Sequence, residues 1–336
     1  MRSSARPVRI VDVAALAGVA PGTASKALNG SGQLRAETRD RVRAAAAQLG
    51  FTPDGFGRGL SSGRSYTVGL LTTDRFGRFT IPILAGAEDA LGAGQMAVML
   101  CDTRDDPIRE QHYVRMLQSR RVDGILVTGR RTDRRSPIDV PPGLPVVHVF
   151  TPCADPEATS VLADEAAGAR LVVEHLAGLG RKRIAHVTGR RDHRSALVRA
   201  EAMERAALDA GASFEGPALF GEWSERWGRQ AAAALLRREP GVDAIVCGSD
   251  QVARGVCDGL REAGVDVPGD VAVTGFDDWD VMALASRPPL TTVDLRLEAL
   301  GRCGAELLLE AVAGRPQPGT TWLPPRLVVR ESTVGP

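Results

Sequence analysis

Over the first fifty residues the apolar positions recur at helical spacing. Ile10, Val13, Ala14 and Ala17 share one side of a short segment, which predicts an amphipathic helix. Gly18 permits a sharp turn, and Val19 is placed to fill the space between this helix and the next. Pro21 suits a first helical position, so a second helix is expected from there to about Leu28, stopped by Asn29 and Gly30. A third is predicted from Glu37 to about Leu49. It sets Val42, Ala45, Ala46 and Leu49 on one side and Arg39, Arg41 and Arg43 elsewhere, with Gly50 closing it. From Tyr66 the pattern changes, and short apolar runs alternate with longer amphipathic ones. Strands are predicted at 67–73, 96–101, 122–128, 145–150, 183–189, 242–248 and 270–276. Helices are predicted at 82–93, 107–119, 164–178, 195–210, 224–238, 250–263 and 297–313. This alternation signals parallel sheets flanked by helices, and at about 150 residues per unit two sheets are expected. The segments 152–160 and 286–292 are the expected crossing points between them.

Charge sharpens the division. Residues 1–64 hold ten basic and four acidic side chains, a surplus of six, whereas the whole chain of 336 residues is net +1. A basic head on a mildly acidic body implies a polyanionic partner for the head alone. The five cysteines are scattered without a CxxC pair, so buried reduced thiols are expected and a metal or redox site is not. No apolar N-terminal run resembles a signal peptide and no stretch reaches membrane-spanning length, which leads to the expectation of a cytoplasmic protein with no membrane partner.

Two amphipathic helices joined by a Gly-bearing turn describe a helix-turn-helix, whose second helix enters the major groove of duplex DNA. Here that helix presents Thr23, Ser25, Lys26 and Asn29 as candidate DNA contacts. Lys26 can donate to guanine O6 and N7, and Thr23 and Asn29 can meet phosphates or base edges. Only two of the 42 basic residues are lysines, so a lysine at the groove-facing position is distinctive. The run PDGFGRGL (53–60) carries a lone leucine, Leu60, among glycines and can lie in a narrow groove. Enzyme signatures fail one by one. The five histidines lack HExxH spacing, no GxSxG elbow occurs, and GRGLSSG (57–63) neither follows a strand nor opens a helix as a phosphate loop must. Asp277 and Asp278 are adjacent, point apart after a strand and have no evident third ligand. No catalytic residue, cofactor or metal is expected.

The run DVAALAGVAPGTASKALNG (12–30) resembles the lactose/galactose repressor (LacI/GalR) family of bacterial transcription regulators. ETRDRVRAAAAQLGFTPD (37–54), RRVDGILV (120–127), VEHLAGLGRKRIAHVTG (173–189), SDQVARG (249–255), VAVTGFDD (271–278), PPLTTVD (288–294) and LVVRES (327–332) follow in family order. The resemblance implies an all-α helix-turn-helix head plus an α/β body of two parallel-sheet, Rossmann-like subdomains of the periplasmic-binding-protein-like type I. The implied layout is an arm at 1–7, a DNA-binding domain at 8–52, a hinge at 53–64 and a body at 65–336. Within the body, 65–162 and 293–323 form the N-subdomain, and 163–292 and 324–336 the C-subdomain. The resemblance also implies a homodimer on a pseudo-palindromic double-stranded operator, with a small-molecule effector, a sugar or related metabolite, between the subdomains. Leu60 matches the hinge leucine that wedges into the minor groove. Arg199 and Asp277 match the ligand-binding arginine and aspartate, and Trp223 an aromatic that packs on the ligand. Phe79 matches an aromatic after the first strand. Alternatives stay open: Arg199 as a helix-surface charge, Asp277 as the cap of a following helix, Trp223 and Phe79 as core.

Several positions depart from the family pattern. Ala20 stands where a serine N-cap is preferred, a loss of about 1 kcal/mol that Pro21 partly offsets. Arg9 occupies a threonine cap, and Gly22 removes one side-chain contact, leaving Lys26 as the main base reader. Gly55, Gly57 and Gly59 disfavour a hinge helix by up to about 1 kcal/mol each. In the effector site, Phe150 replaces a frequent aspartate, Ser249 an asparagine and Leu295 a glutamine, so a smaller or less polar effector is expected, or a sugar in an unusual pose. No leucine heptad follows the last body strand, so a tetramerising tail is not expected.

Overall fold

The computed structural model describes residues 6, 8–28, 32–51, 64–75, 77–93, 96–239 and 241–336. Asn29, Leu60, most of the arm and nearly all of the hinge segment lie outside the described residues. The described chain forms two compact units, one of residues up to Tyr66 with Ser119–Asp123, the other of Thr67–Gln118 and Gly124–Pro336.

In the first unit, helices α1 (Ile10–Ala17), α2 (Pro21–Leu28) and α3 (Ala36–Leu49) follow the helical periodicity. Their core is small because its members are small: Val13, Ala14, Ala17, Ala24, Ala27, Val42, Ala45 and Ala46, with Val19 packed at the edge. Gly18 takes φ 64, and the Val19 N–H donates to the Ala14 carbonyl at 3.0 Å, so the chain leaves α1 through a left-handed residue that only glycine adopts freely. Arg9 gives α1 no side-chain cap; instead the Asp12 carboxylate accepts the Arg9 N–H at 2.8 Å. The Arg41 guanidinium Nε donates to the Ala17 carbonyl at 2.9 Å, satisfying a C-terminal orphan of α1.

The second unit contains two parallel sheets. The first runs β12-β5-β4-β3-β1-β2, with β1 Thr67–Thr72, β2 Ala97–Asp102, β3 Gly124–Thr128, β4 Val146–Val149, β5 Ser160–Ala163 and β12 Thr320–Leu323. The second runs β10-β9-β6-β7, with β8 also on β6; these are β6 Arg183–Thr188, β7 Ser213–Phe214, β8 Leu219–Phe220, β9 Ala244–Cys247 and β10 Ala272–Thr274. A short antiparallel pair, β11 (Thr292–Asp294) with β13 (Arg326–Val328), lies where the chain passes between them. The central strands are buried along nearly their whole length, as parallel strands covered on both faces must be.

One expected crossing point is corrected. Segment 152–160 does not leave the first sheet: β5 follows it and pairs with β4 and β12. The passage comes after Ala163, where Asp164 caps the Glu165–Gly178 helix by accepting the Ala167 N–H at 2.8 Å. That helix packs on Arg194–Asp209 of the other sheet. The periodicity missed β5 because SVLA is four residues long and its companions β7, β8, β11, β12 and β13 are as short or shorter.

Candidate functional site

The C-terminal ends of the central strands of both sheets carry the side chains that converge between the lobes. Arg199, in the second turn of the Arg194–Asp209 helix, is at the centre and only 3% exposed, which removes the surface-charge alternative. Its Nε and Nη2 donate to Glu165 Oε1 at 3.0 and 2.5 Å. Its Nη1 donates to the Gly248 carbonyl at 2.6 Å and to Asp277 Oδ1 at 3.4 Å. The guanidinium carbon lies 3.8 Å from the Phe276 ring centroid. The Thr132 hydroxyl, from the loop after β3, donates to the other Glu165 oxygen at 3.0 Å, joining the two lobes through one carboxylate.

Asp277 follows β10 with φ 107 and is not the cap of the following helix, whose N-cap residue is Trp279. It receives a second arginine, Arg78, which follows β1 and pairs with Asp277 Oδ2 across the cleft. The Arg78 guanidinium is held between two rings, 4.8 Å from the Phe79 centroid and 4.6 Å from that of Trp279. Burial pushes the Asp277 carboxyl above its usual range, and Arg78 and Arg199 oppose that rise. Asp278 points the other way, to Arg330 at 2.8 Å. Asp74 accepts the N–H groups of Phe79 and Thr80 at 2.8 and 3.0 Å, which caps the Thr80–Ala93 helix and fixes the loop that carries Arg78.

The aromatic positions divide. Phe79 stacks on Phe150 with ring centroids 4.7 Å apart, and Phe150 sits at φ 68, a backbone region unfavourable for a bulky side chain. Trp223 covers Gly189, where any Cβ would collide with the indole, and its Nε1 donates to His193 Nδ1 at 2.7 Å. Burial lowers the His193 pKa. Ser249 caps the Asp250–Glu262 helix, accepting the Val252 N–H at 3.3 Å, and Leu295 is fully buried. Asp250, fully buried behind Asp277, has its pKa pushed up to about 8 by burial first and by the Asp277 charge second. It accepts the Trp279 N–H at 2.6 Å and the Thr292 hydroxyl at 2.5 Å.

Of the residues expected here from sequence, Phe79, Phe150, Ser249 and Asp277 lie after strands, Arg199 reaches in from its helix and Trp223 lies on Gly189 after β6; Arg78, Glu165 and Trp279, which join them, were not expected. The less polar lining expected from Phe150, Ser249 and Leu295 is therefore offset by an Arg78–Asp277–Arg199–Glu165 chain of charges. Arg78 sits in an irregular loop with no periodicity to point at it, and Glu165 reads from sequence only as an acidic residue in a first helical turn. A cavity of about 450 Å³ opens in the first lobe, between Thr73, Thr103, Glu110, Arg131, Arg135 and Thr151.

In the first unit, α2 buries Ala24 and Ala27 and leaves Lys26 exposed, with Thr23 and Ser25 half-buried beside it. Residues 9–54 match the model of the lacI family of bacterial regulatory proteins, and residues 173–333 match a periplasmic binding protein-like domain. Over 331 residues the chain is 33% identical to the HTH-type transcriptional regulator CelR of Thermobifida fusca, covering 95% of this chain and 96% of that one. The chain belongs to the LacI family. It is 28% identical over 331 residues to the transcriptional repressor PurR of Aliivibrio fischeri strain MJ11, covering 97% of this chain and 98% of that protein. Among solved structures it resembles the Lac repressor dimer bound to operator and the anti-inducer ONPF, with 26% identity and a TM-score of 0.79 over 98% of this chain and all of that one. A CelR–cellobiose complex aligns with 31% identity and a TM-score of 0.67 over 97% of this chain and all of that one. As a LacI-family member this chain is a sequence-specific DNA-binding transcription regulator. No helix among the described residues is long and apolar enough to cross a membrane.

Proposed function

We propose that the chain is a cytoplasmic, homodimeric repressor, a binding protein and not an enzyme, whose hold on a pseudo-palindromic operator is set by a small hydroxylated metabolite between its two lobes. The observation that carries this reading is a pairing within one chain. A helix-turn-helix presents an exposed Lys26 on its second helix, and a two-lobed body brings Arg199 and Asp277 together between its lobes. Thr23, Ser25, Lys26 and Asn29 are the proposed groove contacts, and Leu60 the minor-groove wedge; for Asn29 and Leu60 the support is family resemblance alone. Phe79, Phe150, Arg199, Trp223, Ser249 and Asp277 are the proposed effector contacts, with Ser249 acting mainly through the helix it caps. A relative solved with cellobiose supports a saccharide-like ligand.

A twofold dimer presents two reading helices one helical turn apart, which suits a symmetric site. Ligand that favours one angle between the lobes shifts the population of DNA-competent protein by its differential affinity alone. Titration of full-length protein into labelled duplex from the region upstream of its own gene tests this. Operator binding should exceed binding to random duplex by at least a thousandfold. Lys26→Ala should lower specific binding by about 1–3 kcal/mol while sparing random duplex. Equal loss on both makes Lys26 a phosphate contact, and no preference for any upstream fragment sinks the reading.

A further inference from the structure

The charges in the cleft balance in a way that constrains what can enter it. Glu165 is held by Arg199, with Arg194 at 3.8 Å from its other oxygen, and the Asp74 carboxylate is taken up by backbone N–H groups. Asp277 is shared, with its Oδ2 on Arg78 and its Oδ1 on Arg199. Arg78 has Asp277 as its one ion-pair partner among the described residues, and the pair spans the two lobes. Its Nε is buried with no acceptor among them. A buried guanidinium donor without an acceptor is an uncommon state in a native protein.

A ligand whose hydroxyls engage Asp277 must displace Arg78, because the guanidinium occupies that oxygen and fills the space between the Phe79 and Trp279 rings. A neutral sugar would then leave Arg78 half-buried and uncompensated, which is strongly unfavourable. A ligand that brings its own negative charge removes that penalty. Its oxyanion takes over the fork of Arg78, including the orphaned Nε–H, and Asp277 is released to accept ligand hydroxyls. The ligand oxyanion then replaces Asp277 as the partner of Arg78, while Asp277 keeps Arg199. A planar carboxylate matches the guanidinium fork better than a tetrahedral phosphate, and the N-terminus of the Thr80–Ala93 helix is already capped by Asp74.

We propose that this cleft selects a sugar acid, a hydroxylated monocarboxylate, and that Arg78 is the residue that recognises its carboxylate. The proposal rests on the reading of the cleft as an effector site. Calorimetric titration of the full-length protein tests it, using matched sets at equal ionic strength: glucose, galactose and mannose, their uronic and aldonic acids, and their 6-phosphates. At least one acid should bind tenfold or more tighter than its neutral parent and its phosphate. In Arg78→Met the acid should fall to the level of its parent, while Arg78→Lys, which keeps the charge without the fork, should retain part of the preference; thermal melts establish that both variants are folded. A neutral sugar that binds as well as its acid, or an acid whose affinity survives Arg78→Met, overturns the proposal and leaves the effector cleft standing. A phosphate preferred over the acid overturns the carboxylate assignment. If no sugar, acid or phosphate binds while operator binding persists, both the proposal and the effector reading fall.

Discussion

Arg199 and Glu165 show why one buried charge cannot be removed alone. Each is 3% exposed, and each satisfies the other through two hydrogen bonds. Arg199→Met should destabilise the body by about 3–5 kcal/mol, because it takes from buried Glu165 its two shortest charge-assisted bonds and leaves it the Thr132 hydroxyl and the more distant Arg194; denaturant melts measure this. Asp250 makes a different prediction. Its folded pKa of about 8 lies above the ordinary 3.8, so between those values the folded chain holds more protons than the unfolded one and stability falls as pH rises. Buried His148 and His186, both lowered to about 4 mainly by burial, act in the opposite sense, but only below about pH 6.5. Between pH 6.5 and 8 the histidines no longer oppose it, and the Asp250 contribution should lower stability by about 1–2 kcal/mol. Asp250→Asn should flatten that slope, and an unchanged slope would show that another group titrates. Asp277 was legible inside the run VAVTGFDD (271–278), and Arg199 through the family resemblance that the runs on either side of it carry. Arg78 was not, since its importance depends on a partner 199 residues away in the chain.

Helices and strands were legible where they were long. All seven predicted body helices form, within two residues at each end, because each buries one stripe against a sheet. What the pattern did not show is how closely some helices cross. A Cβ on Gly228 would strike the Val252 carbonyl oxygen, and one on Gly255 that of Glu225, so Glu225–Arg238 and Asp250–Glu262 touch backbone to backbone. Gly228→Ala should therefore cost about 1–3 kcal/mol, although alanine is the better helix former, and an unchanged melt would mean that the helices can part freely. Neither glycine carries a turn signal, so sequence alone could not distinguish this contact from drift. In the head, the missing serine cap of α2 is open to the reverse test. Ala20→Ser supplies an acceptor for the Thr23 N–H, which now meets the Ala20 carbonyl at 2.9 Å, and should stabilise the head by about 1 kcal/mol.

The whole molecule joins a basic reader to a two-lobed body in a single chain. The head's surplus of six positive charges should make operator binding weaken steeply with salt, by about tenfold or more between 50 and 200 mM. The two-sheet architecture followed from alternating apolar runs, and the family from several motifs in order. The inter-lobe ion pair did not, because it joins loops whose approach is set by the packing of both sheets. If the lobes and the reader belong to one switch, the effector and the operator must influence each other by the same factor. Operator affinity measured by fluorescence anisotropy, without ligand and with a saturating cleft ligand, decides the matter most directly. The two dissociation constants should differ by about 5–150-fold, in whichever direction the ligand acts. Equal constants under those conditions would contradict the account.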